Sequence, residues 1–548
     1  MGKTFVFNSG EARSEPGELQ LTYGLFFDGT LNNRENTRIW KKVRGIDGYG
    51  NPTEEEIEIF EQNAREKKFL SRKRVDKEST SYLNDFTNVG RKSLSCKRDY
   101  TIYIEGIGTQ DKKEDKLQGY AYGRGETGIT GKVTKGCDFL VEKIKESIDF
   151  LDEGDKITEI LIIVDAFGFS RGAAAARYFA YNIQKLAYSA KVKNGKYYDH
   201  EGKEVPQAWI KNGKLPRMGN LGTALLKMGF SHELIDNTFI HLRFLGIYDT
   251  VVSYDPDALL IPNFKSKIHK LHLDELGRPQ KIVHFTSLDE HREYFPLTRI
   301  KPGNNRIERN FPGVHSDIGG SYSNYTETGS ENLLIEKRPK YELEKLIDYR
   351  AELIQGGWYT PEQLKIEPKM VTKHSHYSLK GERNLRKEYS YIFLHLMREE
   401  SEPYMGKYYM PGEMEKYSLS GNKILEQAKE YLQLYTMKWN EDWVLKSEKE
   451  KEEEEEEKLN QATSTKEIKE NHLNQADKKI LTEEKTETNH QSIEKELEEI
   501  YVTDSDRLLK KIRNYYLHWS SHWGELGNTP NKSRKREYYN ADGTVDTN

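Results

Sequence analysis

The stretch ILIIVDAFGFSRGAAAARYFAYNIQKLA, residues 160–187, decides how this chain is read. Its opening, residues 160–167, is β-branched and aromatic with little polar alternation, as a strand buried on both faces requires. Gly168-Phe169-Ser170-Arg171-Gly172 interrupts it, and an alanine-rich, helix-compatible run follows. A nucleophile elbow needs this order, because a sharp turn holds the serine in a strained backbone and small flanking residues let strand and helix approach. Ser170 Oγ is then expected at the C-terminal edge of a sheet, with helix amides behind it and the Arg171 N–H as one oxyanion donor. The five residues alone mean little, since a Gly-rich chain of this length shows Gly-x-Ser-x-Gly by accident with a probability of roughly 0.2. The flanking strand and helix give the pattern its weight.

On either side, short apolar runs at 23–27, 100–104, 239–247 and 281–285 have strand length and are mostly followed by Gly, Asp or Thr. Between the second run and residue 160 lies GCDFLVEKIKESIDFL, where Asp138 is expected to cap a helix with Leu140, Ile144, Ile148 and Leu151 on one face. This βαβ rhythm predicts an α/β fold of the hydrolase type, a mainly parallel sheet flanked by helices.

An activated serine needs an imidazole to take its proton and a carboxylate to hold that imidazole's tautomer. In an α/β-hydrolase these follow in the order Ser, acid, His, each in a loop after a later strand. Asp249 ends the run FIHLRFLGIYD, and His315 lies in the Gly-bounded loop FPGVHSDIGGSY, so the order fits. Asp255 and Asp317 are rival acids; Asp317, two residues from His315, is better placed to shape the His loop or bond backbone amides. His241 and His284 fall inside strands and read as structural.

The first strand ends in Phe26-Phe27-Asp28-Gly29-Thr30-Leu31-Asn32-Asn33. Asp-Gly-Thr also ends the aspartyl-phosphate phosphatase signature, but the nucleophilic Asp would have to stand at 26, which is Phe26. Two readings stay open: a loop that delivers a backbone amide from Gly29 or Thr30 to the oxyanion hole, braced by Asp28 and Asn32, or a plain capped turn. Tyr103-Ile104-Glu105-Gly106-Ile107-Gly108-Thr109 lacks the full dinucleotide fingerprint and reads as another loop at the sheet edge.

The rest is more peripheral. Residues 40–91 are polar and charge-rich and read as an insertion with some helix rather than as core. A second insertion, 190–215, carries the turn signals Asn194-Gly195 and Glu201-Gly202. The pattern beyond 330 is helical and aromatic, and SEPYMGKYYMPGEMEKY together with the C-terminal tryptophans suits either a membrane interface or a packing seam between subdomains. Six glutamates at 452–457 sit in a Lys/Glu/Asn/Gln tract expected to be a solvated helix or disordered spacer. The expected division is a 1–20 extension, a catalytic domain over 21–330, a cap or membrane-facing region over 331–446, the spacer over 447–500 and a C-terminal segment over 501–548 that packs on cap or core.

Composition narrows the function. In 548 residues, 85 Lys+Arg stand against 89 Asp+Glu, a net charge of −4 with no concentrated basic face, which disfavours nucleic acid as a partner. Two cysteines build no disulfide framework, and Cys96 and Cys137 fit no metal-ligand spacing, so no metal or cofactor is expected. The start MGKTFVFNSGEARSEPGELQ lacks the apolar core of a secretory signal, no run approaches about 18 apolar residues, and Val6 stands where N-myristoylation wants Ser or Thr. Synthesis in the cytoplasm without a signal peptide is expected.

Taken together, FFDGTLNN, TNVGR at 87–91, YIEGIGT, GFSRGAAAAR, GIYDTV and FPGVHSDIGGSY resemble the α/β-hydrolase family that contains type VI secretion phospholipase effectors, family one. The resemblance spans about residues 21–325, and YYLHWSSHW…NKSRKREYYNADG is similar to the end of those proteins. It implies that Ser170 is the nucleophile, Asp249 the acid and His315 the base of a phospholipase acting on bacterial lipids at a membrane surface. It further implies delivery into the periplasm or envelope of a target cell, with a secretion spike or adaptor and a cognate immunity protein as partners. The alternatives are a carboxylesterase on soluble or polymeric esters and a non-catalytic hydrolase-like scaffold.

Overall fold

The computed structural model describes residues 17–46, 48–63, 81–149, 157–252, 268–371, 374–451, 453–454, 504–523, 527–540, 542 and 544–546. Its centre is a sheet of six parallel strands: β1 (Glu18–Phe27), β2 (Thr101–Ile104), β3 (Glu159–Phe169), β4 (Thr238–Tyr248), β5 (Lys281–Ser287) and β6 (Arg306–Phe311). They lie in the order β6-β5-β4-β3-β1-β2. Five of the six answer to the apolar runs. The sixth, RIERNF, sits at an edge, where half-exposed strands tolerate charge and the hydrophobic signature fades.

The helices used below are α1 (Arg34–Val43), α2 (Asn88–Leu94), α3 (Ile129–Asp149), α4 (Arg171–Asn182), α5 (Gly219–Lys227), α6 (His315–Gly319), α7 (Tyr389–Met405) and α8 (Ser505–Tyr515). One core joins α3, α4 and α5 to the sheet through residues such as Leu25, Val133, Leu140, Ala174 and Ile162. A second core joins the other face to α2, α7 and α8 through Phe167, Phe244, Phe393, Leu509 and Trp519. Asp138 does not cap a helix but lies inside α3, which begins at Ile129. Ile129, Val133, Cys137 and Leu140 extend the apolar stripe backwards, and Gly136 lets the helix close on the Phe27 ring.

Residues 81–95 are not peripheral: Tyr82 and Val89 are fully buried, and α2 packs under the sheet edge. Their polarity is internal, because Asp85 pairs with Lys41 at 3.0 Å and with Lys387 at 2.7 Å. Asn194 and Gly195, both with positive φ, turn a hairpin between Lys191–Lys193 and Lys196–Tyr198. Beyond 330, helices share the space with an antiparallel sheet that composition hid, β7 (Glu331–Pro339), β8 (Leu364–Val371) and β9 (His374–Arg383), in the order β7-β9-β8. Tyr404 packs on Phe244 and Tyr408 stacks on Tyr100 at 4.2 Å, so these aromatics form a seam against the sheet. The glutamate tract lies outside the described residues, apart from 453–454. Among the described residues no helix is long and apolar enough to cross a membrane.

The strand order fixes where a ligand can sit. From β1 the chain moves to β2 on one side, and from β3 it moves to β4 on the other, so β1 and β3 flank the switch point. Open α/β sheets bind ligands at such a switch point, beyond the C-terminal ends of the strands, where the loops leaving neighbouring strands diverge.

Candidate active site

Ser170 follows β3 directly and holds φ 58° and ψ −127°, a region that costs a non-glycine residue on the order of 1–3 kcal/mol. Close packing enforces the turn. A Cβ on Gly172 would overlap the carbonyl oxygens of Phe27 and Asp28, and a Cβ on Gly168 would meet the Gly172 carbonyl oxygen at 2.5 Å. The two glycines therefore bring β1, β3 and α4 together at the serine. Ser170 N–H donates to the Tyr248 carbonyl at 3.1 Å, which ties the elbow to the end of β4.

Asp249 follows that strand directly, itself at φ 42° and fully buried. Its N–H donates to Phe285 O at 2.7 Å, and Ser287 N–H donates to Asp249 Oδ1 at 2.8 Å. His315, the first residue of α6, puts Nδ1 2.5 Å from Asp249 Oδ2. Its ring packs on Phe169 at 4.5 Å between centroids and edge-on to Phe295 at 5.1 Å. Asp249 and His315 are thus brought into contact, beside the residue that precedes Ser170. Ser170 Oγ makes no hydrogen bond among the described residues, and Ser170 and His315 are each only 4% exposed.

The first loop lies across the switch point. Asp28 is braced from three sides, accepting from Thr87 Oγ1 at 2.6 Å, Tyr103 Oη at 2.6 Å and Gly29 N at 2.7 Å. The last bond occupies the Gly29 amide, one of the two donors expected from this loop. Thr30 N–H and Arg171 N–H carry no partner among the described residues. Gly106 supports the loop by close approach, its N–H donating to Asn32 O at 2.8 Å.

Among the other candidates, Asp255 lies outside the described residues. Asp317 Oδ2 accepts from the amides of Val314 at 3.0 Å and His518 at 3.1 Å, bonds that shape the His loop. His284 is fully buried between Glu308, 2.8 Å from its Nδ1, and the Thr250 amide, which donates to its Nε2. No three His, Cys, Asp or Glu side chains converge as metal ligands among the described residues.

The family model described as "T6SS, Phospholipase effector Tle1-like, catalytic domain" matches residues 25–337, more than half of the chain. The chain belongs to this family. No curated protein sequence matches it significantly. Among solved structures, one titled "Structure of the Tle1 effector bound to the VgrG spike from the Type 6 secretion system" aligns over 98% of this chain and 98% of that one, at 16% identity and a TM-score of 0.50. A crystal structure of an uncharacterized protein from Pseudomonas aeruginosa aligns over 76% of this chain and 50% of that one, at 16% identity and a TM-score of 0.32. The first likeness shows that the two chains share a fold along nearly their whole lengths, the C-terminal region included.

That region reaches back into the Tle1-like domain. Arg536, nearly 200 residues beyond the matched span, forks onto Asp249, with Nη1–Oδ1 at 2.6 Å and Nη2–Oδ2 at 2.9 Å, and also donates to Ser287 O at 2.6 Å. Burial penalises the Asp249 charge, but the Arg536 guanidinium and the His315 ring override it and hold the carboxyl well below its usual range. Burial pushes the His315 imidazole below the usual histidine value, against the pull of Asp249. Glu290 accepts the His315 amide at 3.2 Å and the Ser520 hydroxyl at 2.9 Å; burial opposes its charge, yet Arg292 lowers it to about 2. Neither Arg536 nor Glu290 was legible in advance. The only traces were the SRKREYY cluster and the charged DEHRE run after β5.

Proposed function

We propose that this member of the Tle1-like phospholipase effector family is a serine hydrolase that cleaves acyl esters of membrane phospholipids through an acyl-enzyme. Ser170 Oγ attacks the ester carbonyl while His315 Nε2 takes its proton, and Asp249 holds the Nδ1–H tautomer and stabilises the imidazolium. The N–H groups of Arg171, at the start of α4, and Thr30, on the loop across the switch point, receive the developing oxyanion. Collapse expels the lysophospholipid alkoxide, which takes the proton from His315. A water deprotonated by the same ring then releases the fatty acid and regenerates Ser170.

The observation that carries this reading is the buried 2.5 Å contact between His315 Nδ1 and Asp249 Oδ2 beside the strained Ser170 turn. The Ser170–His315 hydrogen bond has still to form, as is common before substrate arrives. In keeping with its family, the protein acts as an antibacterial toxin, carried by a spike such as the one bound in its structural relative, working in the envelope of the target cell and countered by an immunity protein.

The test compares wild type with Ser170→Ala on phospholipid vesicles. Fatty-acid release falls by about 10⁴-fold or more if the serine is the nucleophile. Comparable release from both proteins eliminates the assignment.

A further inference from the structure

Among the described residues, most arginines with buried side chains face a carboxylate; Arg91 lies 3.7 Å from Asp85 and donates to Asn88 Oδ1 and Ser390 Oγ, although its Nη2 is buried without a partner. Arg292 lies on Glu290, Arg383 on Glu331, Arg513 on Glu448 and Arg536 on Asp249, each with a nitrogen within 3.0 Å of a carboxylate oxygen. Arg177 donates to three backbone carbonyls. Arg171 differs. It is 8% exposed, its Nε donates to Thr30 Oγ1 at 2.8 Å, and its Nη1 is buried without a partner. No carboxylate approaches it among the described residues, and burial alone pushes its guanidinium down to about 10.

An uncompensated buried cation is costly, and bracing a loop through one hydroxyl does not require it. Its position suggests what completes it. The backbone of Arg171 adjoins Ser170, and its side chain is tied to Thr30 on the loop across the switch point, so the guanidinium lies between the nucleophile's helix and that loop, on the side of the sheet where an ester reaches the serine. In a glycerophospholipid an anionic phosphodiester lies only a few bonds from each acyl carbonyl. Guanidinium groups present several donors in a planar fork that suits phosphate oxygens.

We propose that the Arg171 side chain binds the phosphodiester of the lipid substrate, so that the charge missing from the protein arrives with the substrate and selects phospholipids over neutral glycerides. This rests on the serine-hydrolase reading of the same site and assigns it a substrate-selecting residue.

The experiment measures kcat/KM for monomeric dihexanoyl phosphatidylcholine and for dihexanoylglycerol with wild type, Arg171→Gln and Arg171→Lys. Glutamine is expected to depress phospholipid turnover about 10- to 100-fold more than glyceride turnover, and lysine to restore part of the preference. Glycerophosphocholine should inhibit glyceride hydrolysis by the wild type competitively, which keeps the proposal testable if the glutamine variant does not fold. Equal losses on both substrates reduce Arg171 to a loop brace and overturn the proposal. So does an absence of inhibition, or inhibition by inorganic phosphate without any by glycerophosphocholine. A wild type that hydrolyses neither substrate counts against the serine-hydrolase reading itself, whereas turnover with an unmoved substrate ratio counts against Arg171 alone.

Discussion

Replacing Arg536 with glutamine removes the guanidinium that shares the Asp249 carboxylate with His315. The perturbation is sharp because Asp249 is fully buried and the fork spans both of its oxygens, at 2.6 and 2.9 Å. Breaking one side of a buried pair costs about 3–5 kcal/mol of stability, which a lowered melting temperature reports. The catalytic effect has a defined sign. Arg536 competes with the imidazolium for one negative charge, so its removal makes the His315 ring easier to protonate. The base is then lost at a higher pH, and the acid limb of kcat/KM for a soluble ester moves upward by about one unit, a change worth about 1.4 kcal/mol. Looser positioning of the ring lowers kcat on the plateau by about 10²-fold, or some 2.7 kcal/mol. Arg536→Lys retains the charge but not the fork, so its acid limb stays closer to that of wild type while its plateau falls. A folded Arg536→Gln enzyme with the wild-type acid limb would show that Arg536 only fastens the tail and does not tune the acid–base pair.

Two further outcomes follow from the same geometry. Ser170→Gly relieves the positive φ at the elbow and should raise unfolding stability by about 1 kcal/mol while abolishing turnover; denaturant melts that show no gain would remove the argument for strain. Glu290, held at about 2 in the folded protein against about 4.3 unfolded, contributes on the order of 3 kcal/mol that is fully present above pH 5 and is lost as the pH falls from about 4 to about 2. Glu290→Gln should flatten the acid side of the stability curve, and slopes identical to wild type would contradict the pairing with Arg292.

The apolar strands announced themselves because parallel strands buried on both faces have little choice of residue, as β3 shows. The elbow was equally legible, since Gly168, Ser170 and Gly172 answer to contacts within one strand–turn–helix unit. What escaped were interactions between distant segments. Thr87, inside a stretch that read as a polar insertion, donates to Asp28 and so sets the first loop. The commitment of the Gly29 amide to Asp28 needs coordinates, because Gly29 and Thr30 offer the same backbone donor in sequence. Arg536 sits in a basic run whose composition resembles any solvated surface, and only the fold brings it to Asp249. β6 and the antiparallel sheet of β7, β8 and β9 were hidden because half-exposed strands carry charges on one face.

The central claim is that Ser170 is the nucleophile of a working acid–base pair. Treatment of the full chain with a fluorophosphonate probe, followed by peptide mass spectrometry, tests it most directly. The adduct is expected on Ser170, to be lost in Ser170→Ala and greatly slowed in a folded Asp249→Asn variant. A folded wild-type protein that carries no adduct at Ser170 while a control serine hydrolase labels fully would contradict the account.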